Sequence, residues 1–142
     1  MSIKQISVFL ENQPGALNAM TGVLTQHDID IRALSLAEAS DFGIVRLIVD
    51  DVYKTTTVLK DAGYVHSLTT VLGVAIPDVP GGLNKLLEIL TAANVNVEYM
   101  YAFLGREKRA YMIFRVQDES TAAFALKSAG IRPVKQEDIS GL

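Results

Sequence analysis

The chain has 142 residues, 49% of them hydrophobic and 20% charged, with a formal net charge of −3 and no cysteine. This specifies a globular chain long enough for two small cores, each near the lower limit of independent stability, and it excludes disulfides, thiolate metal sites and cysteine nucleophiles. The acidic balance gives no electrostatic reason to approach phosphate backbones or anionic membranes, no apolar run approaches the roughly 18 residues that span a bilayer, and no basic-then-apolar leader precedes Ile3, so the expectation is a cytoplasmic protein with neither nucleic acid nor membrane as partner.

Ile6, Val8 and Leu10 alternate with Ser7 and Phe9 and predict a strand. Behind Asn12-Gln13-Pro14-Gly15, the residues Leu17, Met20, Val23, Leu24 and His27 recur at helical spacing, with Pro14 expected at the first helical position. Two strands are predicted over Ile29 to Ala39 and Ile44 to Val49, joined by the hairpin signal Ser40-Asp41-Phe42-Gly43. A helix near Val52 to Ala62 turns Val58, Leu59 and Ala62 inward and ends at Gly63, and Tyr64 to Leu68 supplies a fourth strand. The order then repeats: strand Val71 to Ile76, helix Gly81 to Ala93, strands Val95 to Leu104 and Ala110 to Val116, helix near Thr121 to Ala129, and a last strand Ile131 to Lys135 in which Pro133 fits an edge.

The repetition extends to the residues themselves. Pro14-Gly15 and Pro80-Gly81 lie 66 positions apart, an offset that also pairs Asn18 with Asn84, Leu24 with Leu90, and Ile29-Asp30-Ile31 with Val95-Asn96-Val97. Leu59-Lys60 and Ala62-Gly63 match Leu126-Lys127 and Ala129-Gly130 at 67, which places a one-residue insertion near Arg106 to Arg109, where Arg106-Glu107-Lys108-Arg109 reads as a solvated hairpin turn. A period of this length is one whole small domain. The fold class is therefore α+β: two ferredoxin-like βαββαβ domains in tandem, residues 1–68 and 69–142, each an antiparallel sheet with its helices on one face. With only Thr69 and Thr70 between them, the halves are expected to move as one body.

Tyr99, Tyr101 and Phe103 alternate with Met100, Ala102 and Leu104, so both faces of that strand are apolar, whereas the first copy carries Ala33, Ser35 and Ala37 there. Sheet-on-sheet dimerisation accounts for this; a ligand-stacking aromatic face is the other reading.

The Pro-Gly turns carry the chemistry. Glycine lets backbone amides approach another molecule closely, and a helix start with bare N–H groups suits a carboxylate. The plainer reading is that Asn12 and Asp78 cap helices while Gly15 eases a turn. The motifs Glu11-Asn12-Gln13-Pro14-Gly15-Ala16-Leu17 with Ile29-Asp30-Ile31, and Asp78-Val79-Pro80-Gly81-Gly82-Leu83 with Val95-Asn96-Val97, resemble a tandem ACT-domain protein over nearly all of Ile3 to about Gln136. The resemblance implies a regulatory module that binds a small molecule, commonly an amino acid, where two ACT units meet. It implies ligand contacts from Asn12 and Asp78, from the backbone of Gly15, Ala16 and Leu17 and of Gly81, Gly82 and Leu83, and from Asp30 and Asn96 at the start of the second strands. Asp30 reads equally as an exposed strand-start residue. Because Asn and Asp exchange places between the copies, two such sites are not equivalent, and the mixture of acids and N–H donors fits a zwitterion.

No catalytic constellation accompanies these turns. His27 and His66 occupy non-equivalent positions without a nucleophile motif, His27 reads as a helix C-terminal residue, no phosphate-binding glycine fingerprint occurs, and Asp50-Asp51 reads as a loop before a helix rather than a metal pair. The expectation is a non-catalytic sensor of a free amino acid, with no metal or cofactor, homodimeric through its sheet faces, acting on a separate partner enzyme or regulator of amino-acid metabolism. The alternative is a structural or protein-interaction module without a small-molecule ligand.

Overall fold

The structure, a computed structural model, describes residues 2–104 and 109–140. The expected insertion point and residues 106–108 of the basic cluster lie outside the described residues. In chain order the elements are β1 (Ile3–Glu11), α1 (Ala16–Gln26), β2 (Ile31–Ala39), β3 (Phe42–Val49), α2 (Val52–Asp61), β4 (His66–Pro77), α3 (Gly82–Ala92), β5 (Tyr99–Leu104), β6 (Arg109–Arg115), α4 (Glu119–Ser128) and α5 (Gln136–Ser140). The chain forms two compact units, one of Lys4–Thr69 and one in which Ile3 joins the residues from Thr70 onward. Each is ferredoxin-like, an antiparallel sheet with its two long helices on one face.

In the first unit β1 pairs with β3, Ile6 opposite Leu47 and Val8 opposite Val45, and β3 pairs with β2, Leu34 opposite Leu47. On the other side of β1 the Phe9 amide donates to the Val65 carbonyl at 3.0 Å. Ile6, Val8 and Leu10 point to one face because side chains alternate along a strand, and they bury Met20 and Leu24 of α1 and Val58 and Leu59 of α2 together with Val45, Leu47 and Val49. Gln5 and Ser7 are also buried, and the Gln5 amide donates to the Ser7 hydroxyl at 3.3 Å. Ala62, expected inward, is exposed: it is the C-cap of α2, and the chain leaves the helix at Gly63 with φ +82°.

The second unit repeats the plan. β4 pairs with β6, Leu72 opposite Phe114 and Val74 opposite Met112, and β6 pairs with β5. Leu86 and Leu90 of α3 and Ala122 and Leu126 of α4 close over Leu72, Val74, Met112 and Phe114. On the opposite face of this sheet a Cβ added to Gly73 would lie 2.4 Å from Ile3 Cδ1, 3.2 Å from Ile113 Cδ1 and 3.7 Å from Val134 Cβ, so the missing side chain is what lets these residues close over the strand.

Three expectations are corrected. Tyr64 to Leu68 and Val71 to Ile76 are not two strands parted at Thr69-Thr70 but parts of one twelve-residue strand, β4 from His66 on, because two β-branched residues with no glycine or proline sustain extended backbone. β5 begins at Tyr99 rather than Val95: Asn94 leaves α3 at φ +58°, Val95 and Val97 pack on the core from irregular chain, and the Glu98 amide makes a ladder bond to the Arg115 carbonyl at 2.9 Å. The last strand shrinks to a single bridge between Pro133 and Val74, since proline brings no amide, although the Val134 amide reaches the Gly73 carbonyl at 2.7 Å. The chain then turns into the unexpected α5, entered where Asp138 Oδ2 accepts the Lys135 amide at 2.9 Å and anchored by fully buried Ile139.

The second helix of each unit starts on an acid, Asp51 for α2 and Asp118 for α4, each accepting the amide three residues on at 3.0 Å. The Thr121 hydroxyl, at 2.6 Å, and then the Thr121 amide hold Asp118 below the ordinary carboxylate value of 3.8. A depressed native pKa stabilises the fold above the unfolded value, and that stabilisation disappears as pH falls through the native one. Asp118→Asn is expected to lower the Tm at neutral pH, and the gap from the parent protein to shrink steadily below pH ~4 in thermal melts run across pH. Phe114, fully buried among both helices of its unit, is expected to cost about 3–5 kcal/mol on truncation to alanine, read from urea unfolding.

Candidate functional site

Each unit presents the same turn between its first strand and first helix. Gly15 and Gly81 are the N-caps of α1 and α3, at φ +84° and +87°, in the left-handed region that glycine enters without a steric penalty. Pro14 and Pro80 therefore precede the cap rather than occupying the first helical position, which Ala16 and Gly82 take. A glycine cap brings no side-chain acceptor, and neither helix receives a side-chain cap bond.

This overturns the capping role considered for Asn12 and Asp78. The Asn12 side-chain amide donates instead to the Ser40 carbonyl at 3.1 Å, and its backbone amide to the Asp41 carbonyl at 3.0 Å, fastening the turn to the β2–β3 hairpin. Within the turns the Gly82 amide reaches the Val79 carbonyl at 3.1 Å and the Ala16 amide the Gln13 carbonyl at 3.3 Å. The next two amides, of Leu17 and Asn18 and of Leu83 and Asn84, find no acceptor among the described residues. Four N–H groups at the positive ends of two helix dipoles are thus without an acceptor among the described residues.

Beside each turn lies a cleft built wholly from its own unit. In the first unit, Phe9, Leu10, Glu11, Gln13, Ala16, Ala19 and Gly63 to Val65 enclose about 300 Å³. In the second, the end of β4, the turn at Val79 to Gly82, Lys85, Leu86 and Ile89 of α3, and Ala129 with Ile131 enclose about 370 Å³. At the offsets of 66 and 67 these are the same place in the two copies. Gly81, Gly82 and Ala16 line these clefts, while Asn12, Gly15, Leu17, Asp78 and Leu83 do not.

The acid and the amide of the second-strand segments sit elsewhere. Asn96 lines a separate, polar cleft with Asn94, Gln117, Asp118 and Thr121. Asp30 precedes β2, and its carboxylate pairs with the Arg32 guanidinium at 2.7 Å. Its backbone amide donates to Asp50 Oδ1, and its carbonyl accepts the Asp50 amide, both at 3.1 Å. Arg32 itself is held tightly, its Nε buried and without a partner among the described residues.

His27 sits at the C-cap of α1 as expected, its Nδ1 donating to the Val23 carbonyl at 2.9 Å, and Asp51 is engaged as a cap. Among the described residues no three His, Asp or Glu side chains gather as a metal site, and no helix is long and apolar enough to cross a membrane. Sequence reasoning missed Lys85, whose i+3 spacing from Gly82 on α3 was the available signal, and Arg32, two positions along the strand from Asp30.

Two ferredoxin-like units, each with a glycine-capped helix start beside a small cleft, define a duplicated module. The chain belongs to the ACT domain pair family, whose model matches residues 1–142. ACT domains are regulatory, non-catalytic modules. The structure of protein BT0572 from Bacteroides thetaiotaomicron is similar at 38% identity and a TM-score of 0.94, covering 100% of this chain and 98% of that one. The ligand-free regulatory subunit of aspartate kinase from Thermus thermophilus shares the fold at 16% identity and a TM-score of 0.65, over 89% of this chain and 91% of that one. The corresponding subunit from Thermus flavus does so at 17% and 0.62, over 89% and 92%. No curated protein matches the chain.

The two turns tolerate a methyl group differently. A Cβ on Gly15 meets nothing within 4 Å, so Gly15→Ala is expected to cost only the left-handed backbone strain, about 1–2 kcal/mol. On Gly82 it would lie 2.6 Å from the Pro77 carbonyl oxygen, a backbone atom, so Gly82→Ala displaces the turn at a cost of about 1–3 kcal/mol. Denaturant unfolding of both variants checks the pair.

Proposed function

We propose that this chain is a non-catalytic sensor of a free amino acid. Its ligand is held where the Pro-Gly turn of one ACT unit meets a further ACT unit of the assembly, and the bound state is read by a separate enzyme or regulator. The observation that carries this reading is the pair of uncapped helix starts, with the amides of Leu17 and Asn18 and of Leu83 and Asn84 unspent beside a cleft in each copy. A carboxylate complements such amides, and the duplication of the arrangement makes a ligand role more economical than two independent accidents of turn geometry. Asn12, Gly15, Ala16, Leu17 and Asp30 in the first unit and Asp78, Gly81, Gly82, Leu83 and Asn96 in the second are the proposed site residues. The likeness to aspartate kinase regulatory subunits supports a regulatory partner but names none.

In mechanism, a ligand that contacts two ACT units favours the arrangement in which they are closed on it, by its differential affinity for that state. A homodimer formed through the sheet faces and a cytoplasmic location complete the proposal. Tyr99, Tyr101 and Phe103 are half-buried along β5, with Phe103 stacked on Tyr111 at 5.1 Å, which supports an apolar face there.

The rival reading, an interaction module without a ligand, is favoured by Leu34 and Leu36, exposed at 40% and 54% on β2. A thermal-shift screen of the purified protein against the common amino acids separates the two. A sensor at one hundred times its Kd gains about 2.7 kcal/mol and a clear rise in Tm with a selective ligand, whereas an unchanged Tm throughout leaves the interaction module.

A further inference from the structure

We infer that the two equivalent clefts have diverged, and that the second alone is a ligand cavity, shaped for the carboxylate of a short branched aliphatic compound. The inference rests on the sensor reading, narrows its two candidate sites to the one in the second unit, and gives that site a ligand class.

Position by position, the copies differ in what fills the space. Phe9 borders the first cleft and its ring lies against Phe42, centroids 6.5 Å apart, where the second cleft has Ala75. At the mouth of the first cleft Glu11 accepts a hydrogen bond from the Gln13 side-chain amide, so an acid and an amide close on each other. The second cleft has Pro77 and Val79 at those two positions. Ala19 in the first becomes Lys85 in the second, and Tyr64 becomes Ile131. The first cleft is thus smaller, at about 300 Å³ against about 370 Å³, and bordered by a negative charge.

The second, at about 370 Å³, falls within the usual range for small-molecule sites. Its walls are Ile76, Leu86, Ile89 and Ile131, and among the described residues Lys85 is the one charged residue lining it. An apolar cavity with a single cation and no acid selects an anionic head on an apolar body: the ammonium of Lys85 takes a carboxylate in a charge-assisted bond while the branched chain leaves water. With no acidic side chain among the described lining residues, nothing in them demands an α-ammonium group. A branched-chain amino acid and the corresponding 2-oxo acid share the chemistry that is recognised.

Calorimetry on the full chain tests this with leucine, isoleucine, valine and 4-methyl-2-oxopentanoate, using aspartate and lysine as mismatched compounds. The expected result is one aliphatic ligand per chain and no detectable heat from aspartate or lysine. Lys85→Gln should weaken binding at least tenfold, and Pro77→Glu, which installs the acid of the first copy, should weaken it likewise. Ala19→Gln, at the first cleft, should leave it unchanged. Thermal melts of each variant establish that it is folded, and Lys85→Gln, at an exposed position, keeps the test intact if Pro77→Glu does not fold.

Two ligands per chain, or unaltered affinity in Lys85→Gln, overturns the inference while the sensor reading stands. Preference for aspartate or lysine does the same. Binding of the 2-oxo acid without any amino acid supports the cleft and overturns the amino-acid reading, and silence from every compound overturns both.

Discussion

The backbone conformation at the two strand-to-helix turns governs everything built on them. Gly15 and Gly81 enter the helices with positive φ, a region in which an L side chain is strained, and the helices leave through Asp28 and Asn94, also at positive φ. Asp and Asn tolerate this better than other L residues because their short polar side chains bond locally. These four positions reverse the chain sharply enough for an eleven-residue helix to return across its own sheet. The second helix of each unit exits in the same way at Gly63 and Gly130. A glycine cap fixes the geometry but supplies no acceptor, so the device that makes the turn tight also leaves helix amides unspent. Architecture and candidate chemistry thus have one cause.

Duplication has preserved the two scaffolds more strictly than their contents. Positive-φ residues recur at 15 and 81, 28 and 94, and 63 and 130, and the acid caps at 51 and 118. Each cap keeps its bond to the amide three residues on. The cleft linings do not recur: Phe9 against Ala75, Glu11 against Pro77, Ala19 against Lys85. Positions that decide whether the chain can turn are intolerant, because a wrong residue there strains the backbone of an entire helix. Positions that merely line a cleft near the surface are free to change with little effect on stability. Two equivalent places in one fold can therefore differ in what they accept.

Most of the fold was legible in the sequence wherever one periodicity ruled. Ile6, Val8 and Leu10, or Met20 and Leu24, face the core their spacing assigns them. Legibility failed where a local preference met a tertiary demand. Thr69 and Thr70 looked like a gap between two strands but extend β4, and the edge strand around Pro133 amounts to one bridge followed by a short helix pinned through Ile139. At the site, the glycines and their turns were readable because a positive φ imposes a residue type. The partners of Asp30 and Asn12 were not: Arg32, Asp50 and the Ser40 carbonyl come within bonding distance only when β2, β3 and the turn are assembled.

The sequence by itself determined the duplication, the βαββαβ order of each half, the glycine turns and the absence of thiol chemistry, since each follows from residue type, spacing or count along the chain. Only the tertiary structure decided which turn residues border a cleft, that Asn96 belongs to a different one, and that Lys85 rather than Asp78 lines the cavity of the second unit. The physical reason is that strand and helix periods fix the direction of a side chain relative to its own element, whereas a cavity is enclosed by several elements at once, and which of their faces meet is settled by packing.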